Sequence, residues 1–333
     1  MSIDLKGRSL LSLMDLSAEE IRYLLDFAIK LKAERKAGIR KERLKGRCIL
    51  LLFEKTSTRT RCSFEVGAAQ EGGVVTFLSN ADSQFGKKES LEDSAKVFGR
   101  LYDAIEYRGY SQKTVEDLAK YSGVPVYNGL TDVDHPTQIL ADLMTIEEHC
   151  SKPLDQVKVA FLGDTRNNMA YAWMYGCAKM GMQFIACGPK ELAPDPEIFG
   201  RAQEAAKESG ATLTFTTDTA DIEGADVVYT DIWASMGEEK EIPKRVKLLA
   251  PYKVTDELLE KTKNPNVIFM HCLPSFHDFE TTMGEEQRAL GYDIREVTDE
   301  VFNGPHSVVI DEAENRMHTI KALMVATIGD LSD

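Results

Sequence analysis

The sequence predicts an α/β chain built as two doubly wound parallel-sheet domains joined by terminal helices. Three observations carry this. Short apolar runs alternate with helix-like patches along the 333 residues, the pattern of parallel strands covered by helices on both faces. The rhythm occurs twice, with a break at Lys152-Pro153-Leu154-Asp155. An apolar content of 43% over this length is more core than one domain usually holds.

The elements follow in order. Ser17-Ala18-Glu19-Glu20 is a capping box, and its helix runs to about Lys36 and stops near Gly38. Strands are expected at 48–53, 74–78, 103–107 and 124–127, with helices at 58–70, 90–100, 112–121 and 136–149. Ser90 is a natural N-cap for the helix it precedes. In the second half, strands are expected at 157–162, 183–187, 211–215, 226–230 and 267–271, and helices at 167–181, 196–209 and 255–262. A last helix, about 312–328, carries Met317, Ile320, Leu323, Met324 and Ile328 at helical spacing. Residues 1–150 are expected as one domain, with 318–333 packing back onto it, and 151–317 as the other. The halves share architecture, not a sequence repeat.

The totals exclude several classes. A net charge of −14 speaks against nucleic acid as a partner. An anionic substrate would therefore need a local cationic cluster. No run reaches the roughly 18 apolar residues of a membrane span. Met1-Ser2-Ile3-Asp4-Leu5-Lys6 is neither a signal-peptide core nor an Arg-rich leader, so a cytoplasmic protein is expected. The cysteines at 48, 62, 150, 177, 187 and 272 form no Cys-x-x-Cys pair.

In open α/β sheets ligands gather beyond the carboxyl ends of the strands, and the distinctive residues lie there. Ser57-Thr58-Arg59-Thr60-Arg61 joins a strand to a helix start. Unpaired N–H groups and a partial positive charge attract phosphate to such a start. The three hydroxyls and the guanidinium of Arg59 add donors matched to phosphate oxygens. A P-loop is absent from the sequence. Arg108 follows the third strand, and His135-Pro136-Thr137-Gln138 opens a helix with proline in its first turn. Gln138 lies one turn beyond His135 on the same face.

In the second half, Gly163-Asp164-Thr165-Arg166-Asn167-Asn168 is again strand end and helix start, without Gly-x-Gly-x-x-Gly. Asp231, before Ser235-Met236-Gly237, is placed to hold an ammonium group. His271-Cys272-Leu273-Pro274 ends the last strand. A zinc site would need more ligands than His277 adds. A cysteine nucleophile would need a base and an orienting partner, which spacing alone leaves open. A first half suited to a small phosphorylated molecule and a second suited to a small amine suggest transfer between the two.

Ser57-Thr58-Arg59-Thr60-Arg61, Arg108-Gly109, His135-Pro136-Thr137-Gln138 and His271-Cys272-Leu273-Pro274 together resemble the aspartate and ornithine carbamoyltransferases. The phosphate-side motifs are common to both branches. Asp231 with Ser235-Met236-Gly237, and the run Asp311 to Lys321, are similar to the ornithine branch. The resemblance spans nearly the whole chain. It implies one domain for carbamoyl phosphate and one for L-ornithine, a reaction giving L-citrulline and phosphate, and no metal or organic cofactor. It also implies a homotrimer or an assembly of trimers, with Gln84 reaching a neighbouring subunit's phosphate.

Carried over by residue, Ser57, Thr58, Arg59 and Thr60 would hold phosphate. Arg108, His135 and Gln138 would bind the carbamoyl end, with a protonated His135 helping to stabilise the oxyanion. Asn168, Asp231, Ser235 and Met236 would hold ornithine, and Cys272, Leu273 and Arg316 would line the reacting centre, Cys272 without a covalent intermediate. The chain departs from the family pattern at Ala170-Tyr171-Ala172-Trp173 and at Ser275. Three rivals remain at this stage: a putrescine carbamoyltransferase, a non-catalytic binding protein on the same fold, and a cysteine hydrolase.

Overall fold

Strands form where the apolar runs lie. The computed structural model describes residues 3–234 and 238–331. In chain order the elements are α1 (Ala18–Lys36), β1 (Cys48–Phe53), α2 (Thr58–Gln70), β2 (Val74–Ser79), α3 (Leu91–Leu101), β3 (Ala104–Arg108), α4 (Gln112–Ser122), β4 (Val126–Leu130) and α5 (Pro136–His149). Then come β5 (Lys158–Leu162), α6 (Asn168–Met180), β6 (Gln183–Cys187), α7 (Pro196–Ser209), β7 (Thr212–Thr216), β8 (Val227–Thr230), α8 (Ile242–Leu249), α9 (Asp256–Glu260), β9 (Ile268–His271), α10 (Thr282–Ala289), α11 (Asp299–Phe302) and α12 (Val309–Ile328).

The chain divides into two units, Met1–Met144 with Glu314–Asp333, and Thr145–Ala313. Both divisions fall inside helices, α5 and α12, and the loop at 152–155 lies within the second unit, where Leu154–Gln156 make a single 3-10 turn. In the first unit the order β2-β1-β3-β4 forms a four-stranded sheet, and in the second β7-β6-β5-β8-β9 forms a five-stranded one. Every strand pairing is parallel, as the alternation of elements predicts. β1 is buried at five of its six positions, because helices cover both faces of a parallel sheet and no polar face is needed.

The first core packs Leu50, Leu52, Ile105, Tyr107, Val115 and Leu118. The second packs Ala160, Leu162, Val228, Leu258, Phe269 and Val297. The part of α12 belonging to the first unit is tied to it by Lys32 Nζ donating to Asn315 Oδ1 at 2.7 Å and by the Tyr127 and Thr327 hydroxyls at 2.5 Å. Among the described residues, no helix is long and apolar enough to cross a membrane.

Three helices go beyond the sequence reading. α8 begins on Ile242-Pro243, and α11 has four residues. α10 buries only Gly284, so it lacks the apolar stripe that periodicity detects; Thr281 caps it, accepting from the Gly284 N–H at 3.0 Å.

Each sheet has one point where the winding reverses, between β1 and β3 in the first and between β5 and β8 in the second. There the strand ends lie side by side, Phe53 pairing with Arg108 and Leu162 with Thr230. Strand ends at such a point part to leave a crevice, and the candidate residues follow these strands.

Candidate active site

In the first unit the site begins at the head of α2. Ser57 is its N-cap, extended at φ −161°, and its hydroxyl accepts from the Thr60 N–H at 3.2 Å. Thr58 is exposed, Arg59 half-buried and Thr60 fully buried. Thr60 Oγ1 is the hub. Arg108 Nη1 donates to it at 3.2 Å and Arg316 Nη2 at 3.0 Å. Arg108 Nη1 also reaches the Gly129 carbonyl at 3.2 Å. Arg316 Nη1 donates to Gln138 Oε1 and lies 3.4 Å from His135 Nε2. Gln138 Nε2 donates to Asp142 Oδ1 at 2.8 Å. Thr60, Arg108, His135, Gln138 and Arg316 therefore form one connected cationic network, although they come from four helices and strands spread over 256 residues of sequence separation.

The surroundings of His135 set its charge. Burial lowers the pKa of His135 well below the usual imidazole value, and Arg316, Arg108 and Arg59 lower it further. Both influences disfavour the protonated ring. Because a guanidinium can only donate, Nε2 faces Arg316 as the acceptor. Asp134, next to it, accepts from the His135 N–H at 2.7 Å, and burial pushes its carboxyl up to about 7.

Sequence reasoning missed Glu106. It points from β3 into the interior and is fully buried, and neither oxygen has a hydrogen-bond partner among the described residues. Burial raises its pKa well above the carboxylate range, and Arg108 and Arg316 only partly offset this. A Cβ at position 129 would stand 1.8 Å from Glu106 Oε1 and 3.3 Å from the Thr60 methyl carbon, so only glycine there leaves the buried acid its room. The sequence signal was available: a Glu inside the apolar run Ala104-Ile105-Glu106-Tyr107. Gln84 is exposed in the loop between β2 and α3, where its carbonyl accepts from Lys87 and Lys88.

In the second unit the residues gather after β5, β8 and β9. The Cys272 thiol donates to Asp231 Oδ1 at 3.2 Å, and the Asn167 amide donates to Asp231 Oδ2 at 3.0 Å. Both residues at the head of α6 are half-buried. Asn167, its cap, is the one whose amide meets Asp231, and Asn168 opens the first turn. Burial raises the Asp231 pKa, opposed by His271 and by the thiol. Ser235 and Met236 lie outside the described residues.

His271 holds the turn that carries Cys272. Its Nε2 faces Glu296 Oε1 at 3.0 Å, and its Nδ1 accepts from the Leu273 N–H at 2.9 Å. Its own N–H donates to Glu312 Oε2 at 2.9 Å. Burial alone would lower its pKa, but Glu296, Asp231 and Glu312 outweigh that and raise it. Leu273 sits at φ 57°, a left-handed conformation that costs a non-glycine residue energy and is common in functional sites. Asp231, His271 and Cys272 offer ligand atoms within 4.8 Å of one another, but each is already engaged in the bonds just described.

Known proteins place this arrangement. The carbamoyl-P binding domain model of the aspartate/ornithine carbamoyltransferases matches residues 8–148, and their Asp/Orn binding domain model matches residues 155–327. A relative in Clostridium perfringens (strain 13 / Type A), named ornithine carbamoyltransferase, catabolic, is 63% identical, covering 99% of this chain and 100% of its own length. An ornithine carbamoyltransferase of Thermotoga petrophila is 56% identical, with 98% and 100% covered. The solved structure of ornithine carbamoyltransferase from Pyrococcus furiosus is similar with a TM-score of 0.90 at 40% identity, covering 98% of this chain and 99% of that one. With the same two domains matched in order and the motif residues gathered at the strand ends of each, the chain belongs to the aspartate/ornithine carbamoyltransferase family.

Proposed function

We propose that the chain transfers the carbamoyl group of carbamoyl phosphate to the δ-amine of L-ornithine, giving L-citrulline and phosphate. The observation that carries this reading is the network of Arg108 and Arg316 on Thr60, joined by Gln138 and His135, beside the capped head of α2. Such a group of permanently charged, hydrogen-bonded donors suits a phosphorylated acyl donor.

Ser57, Thr58, Arg59 and Thr60 hold the phosphate in this reading. Arg108 and Thr60 polarise the carbamoyl oxygen, which becomes an oxyanion when the amine attacks. An arriving dianion offsets the three arginines around His135 and raises its pKa, so the ring gains a proton only with substrate present. Gln138 and Arg316 complete the carbamoyl end. Asp231 with Asn168, Ser235 and Met236 takes the α-amino acid part of ornithine, and Cys272 and Leu273 line the reacting centre. Cys272 positions through its bond to Asp231 and forms no covalent intermediate. The δ-amine must be neutral to attack, and surrounding arginines disfavour its ammonium form.

In this reading the unit of Met1–Met144 with Glu314–Asp333 serves carbamoyl phosphate, with Arg316 on its side, and Thr145–Ala313 serves ornithine. The family resemblance supports a cytoplasmic homotrimer, with Gln84 completing a neighbour's site. Exposed Val66, Val97 and Leu101 on α2 and α3 suit a subunit contact, which light scattering tests. The word catabolic in the Clostridium name supports use in the direction of citrulline breakdown, which rates measured both ways would check.

The deciding assay is citrulline formation from carbamoyl phosphate across a panel of amines. A faster rate with putrescine than with ornithine overturns the amine assignment. Arg59→Ala should abolish carbamoyl phosphate binding in a calorimetric titration and leave the fold intact; wild-type affinity removes Arg59 from the site.

A further inference from the structure

We propose that Asp142 is a positioning residue that fixes which way round the Gln138 amide stands, and through it sets a preference for a carbamoyl over an acetyl group. The proposal rests on the reading above, in which Gln138 meets the carbamoyl end. Both residues lie on α5, four apart and therefore on one face. Both are buried, Asp142 completely. Gln138 Nε2 donates to Asp142 Oδ1 at 2.8 Å, and Gln138 Oε1 accepts from Arg316 Nη1. Arg316 Nη2 donates to Thr60 Oγ1 at 3.0 Å, and its Nη1 lies 3.4 Å from His135 Nε2.

A primary amide has nearly the same shape either way round, so its partners decide which end is oxygen. An ionised carboxylate only accepts and a guanidinium only donates. Asp142 and Arg316 hold opposite ends of the amide and demand the same orientation. With both ends buried, a reversed amide would set acceptor against acceptor and donor against donor, at high cost in a place of low dielectric. The end turned toward Arg316 and Thr60 is thus the carbonyl oxygen. A carbamoyl group arriving there brings an –NH2 that can donate to it, and the methyl of an acetyl group cannot. A buried site built to accept an N–H rejects the analogue without one, because desolvation is incurred and no bond is made. Asp142 touches no substrate in this account and acts only through Gln138.

The test is calorimetric binding of two stable phosphonates to wild type, Asp142→Asn and Asp142→Ala, with Tm measured alongside. Phosphonoacetamide carries –NH2 where acetonylphosphonate carries –CH3. One neutral hydrogen bond corresponds to about fivefold in affinity. Wild type should bind the amide at least about fivefold more tightly than the ketone. In Asp142→Ala that ratio should fall to within about twofold of unity, chiefly through weaker amide binding. Asp142→Asn should fall between, because an asparagine carbonyl can still accept from Gln138 Nε2 but does not compel it; this variant carries the test if Asp142→Ala does not fold. A wild-type ratio retained in the folded variants overturns the proposal. So does an equal loss of both affinities together with Tm, which is what a merely structural role gives. A wild type that binds both phosphonates without preference overturns it too. Wild type that binds neither, or forms no citrulline, sinks the parent reading instead.

Discussion

Two buried histidines, one in each unit, have their charge pulled in opposite directions. His135 is held away from its charged form by burial and three arginines, whereas His271 is pushed toward it by Glu296, Asp231 and Glu312 despite burial. The fold around them is alike: a parallel sheet, a winding reversal, and functional residues just past the strand ends. The difference lies in what the neighbouring loops bring. The first unit assembles arginines around a helix start, a set of donors that suits an anion. The second assembles carboxylates, and it suits an ammonium group or a thiol proton. One architecture thus serves opposite electrostatic tasks because the strand scaffold is indifferent to charge and the loop tips are not.

Breaking the first side should cost most. Arg108→Ala removes a donor to the developing oxyanion and should lower kcat about 10²–10³-fold, read from citrulline formation, with calorimetric binding of L-norvaline, which carries ornithine's amino-acid end without the δ-amine, unaltered. Equal damage to norvaline binding would erase the division between the units. Next comes Asp231→Asn, which should lower kcat/KM for ornithine about 10–100-fold and leave carbamoyl phosphate affinity, measured by calorimetry, within about twofold. A smaller effect is expected for Cys272→Ala, about tenfold or less in kcat/KM, since only one hydrogen bond to Asp231 is lost. Complete inactivity together with an acyl adduct on wild-type Cys272 in mass spectra would favour a nucleophile instead.

The mildest test concerns Asp134 beside His135. Its folded pKa of about 7 lies above that of an unfolded carboxylate, near 3.9. The folded chain therefore holds the proton more tightly, and the associated stability is full below about pH 4, declines as pH rises, and is gone above about 7. Asp134→Asn keeps an acceptor for the His135 N–H and should flatten that decline in Tm measured from pH 4.5 to 8.

Much of this was legible in the sequence because strands buried on both faces read as plain apolar runs. Ser57, Arg108, His135 and Asp231 were legible because they stand at the ends of those runs, where polar residues have no packing reason to cluster. Glu106 was missed because it sits inside a run, where the apolar pattern marks the strand and gives a single acid no role. Asn167 joins its neighbour Asn168 at the head of α6, and spacing gives no sign that its amide turns toward Asp231. Glu296 and Arg245 were invisible for another reason. No motif marks them, and only the tertiary fold carries them to His271 and Asp164. The lowered pKa of His135 depends on the number of arginines around it and the depth of burial, which are sums over space and not over sequence.

The close approach of Gly129 to Glu106 constrains the history open to this lineage. A methyl at 129 would have to force a carboxylate aside within a packed interior, whereas a shorter side chain at 106 would first vacate that room. Substitutions at the two positions are therefore ordered, with loss of the acid preceding any gain of bulk opposite it. Once both had changed, restoring the acid alone would collide with the new side chain and block the return path.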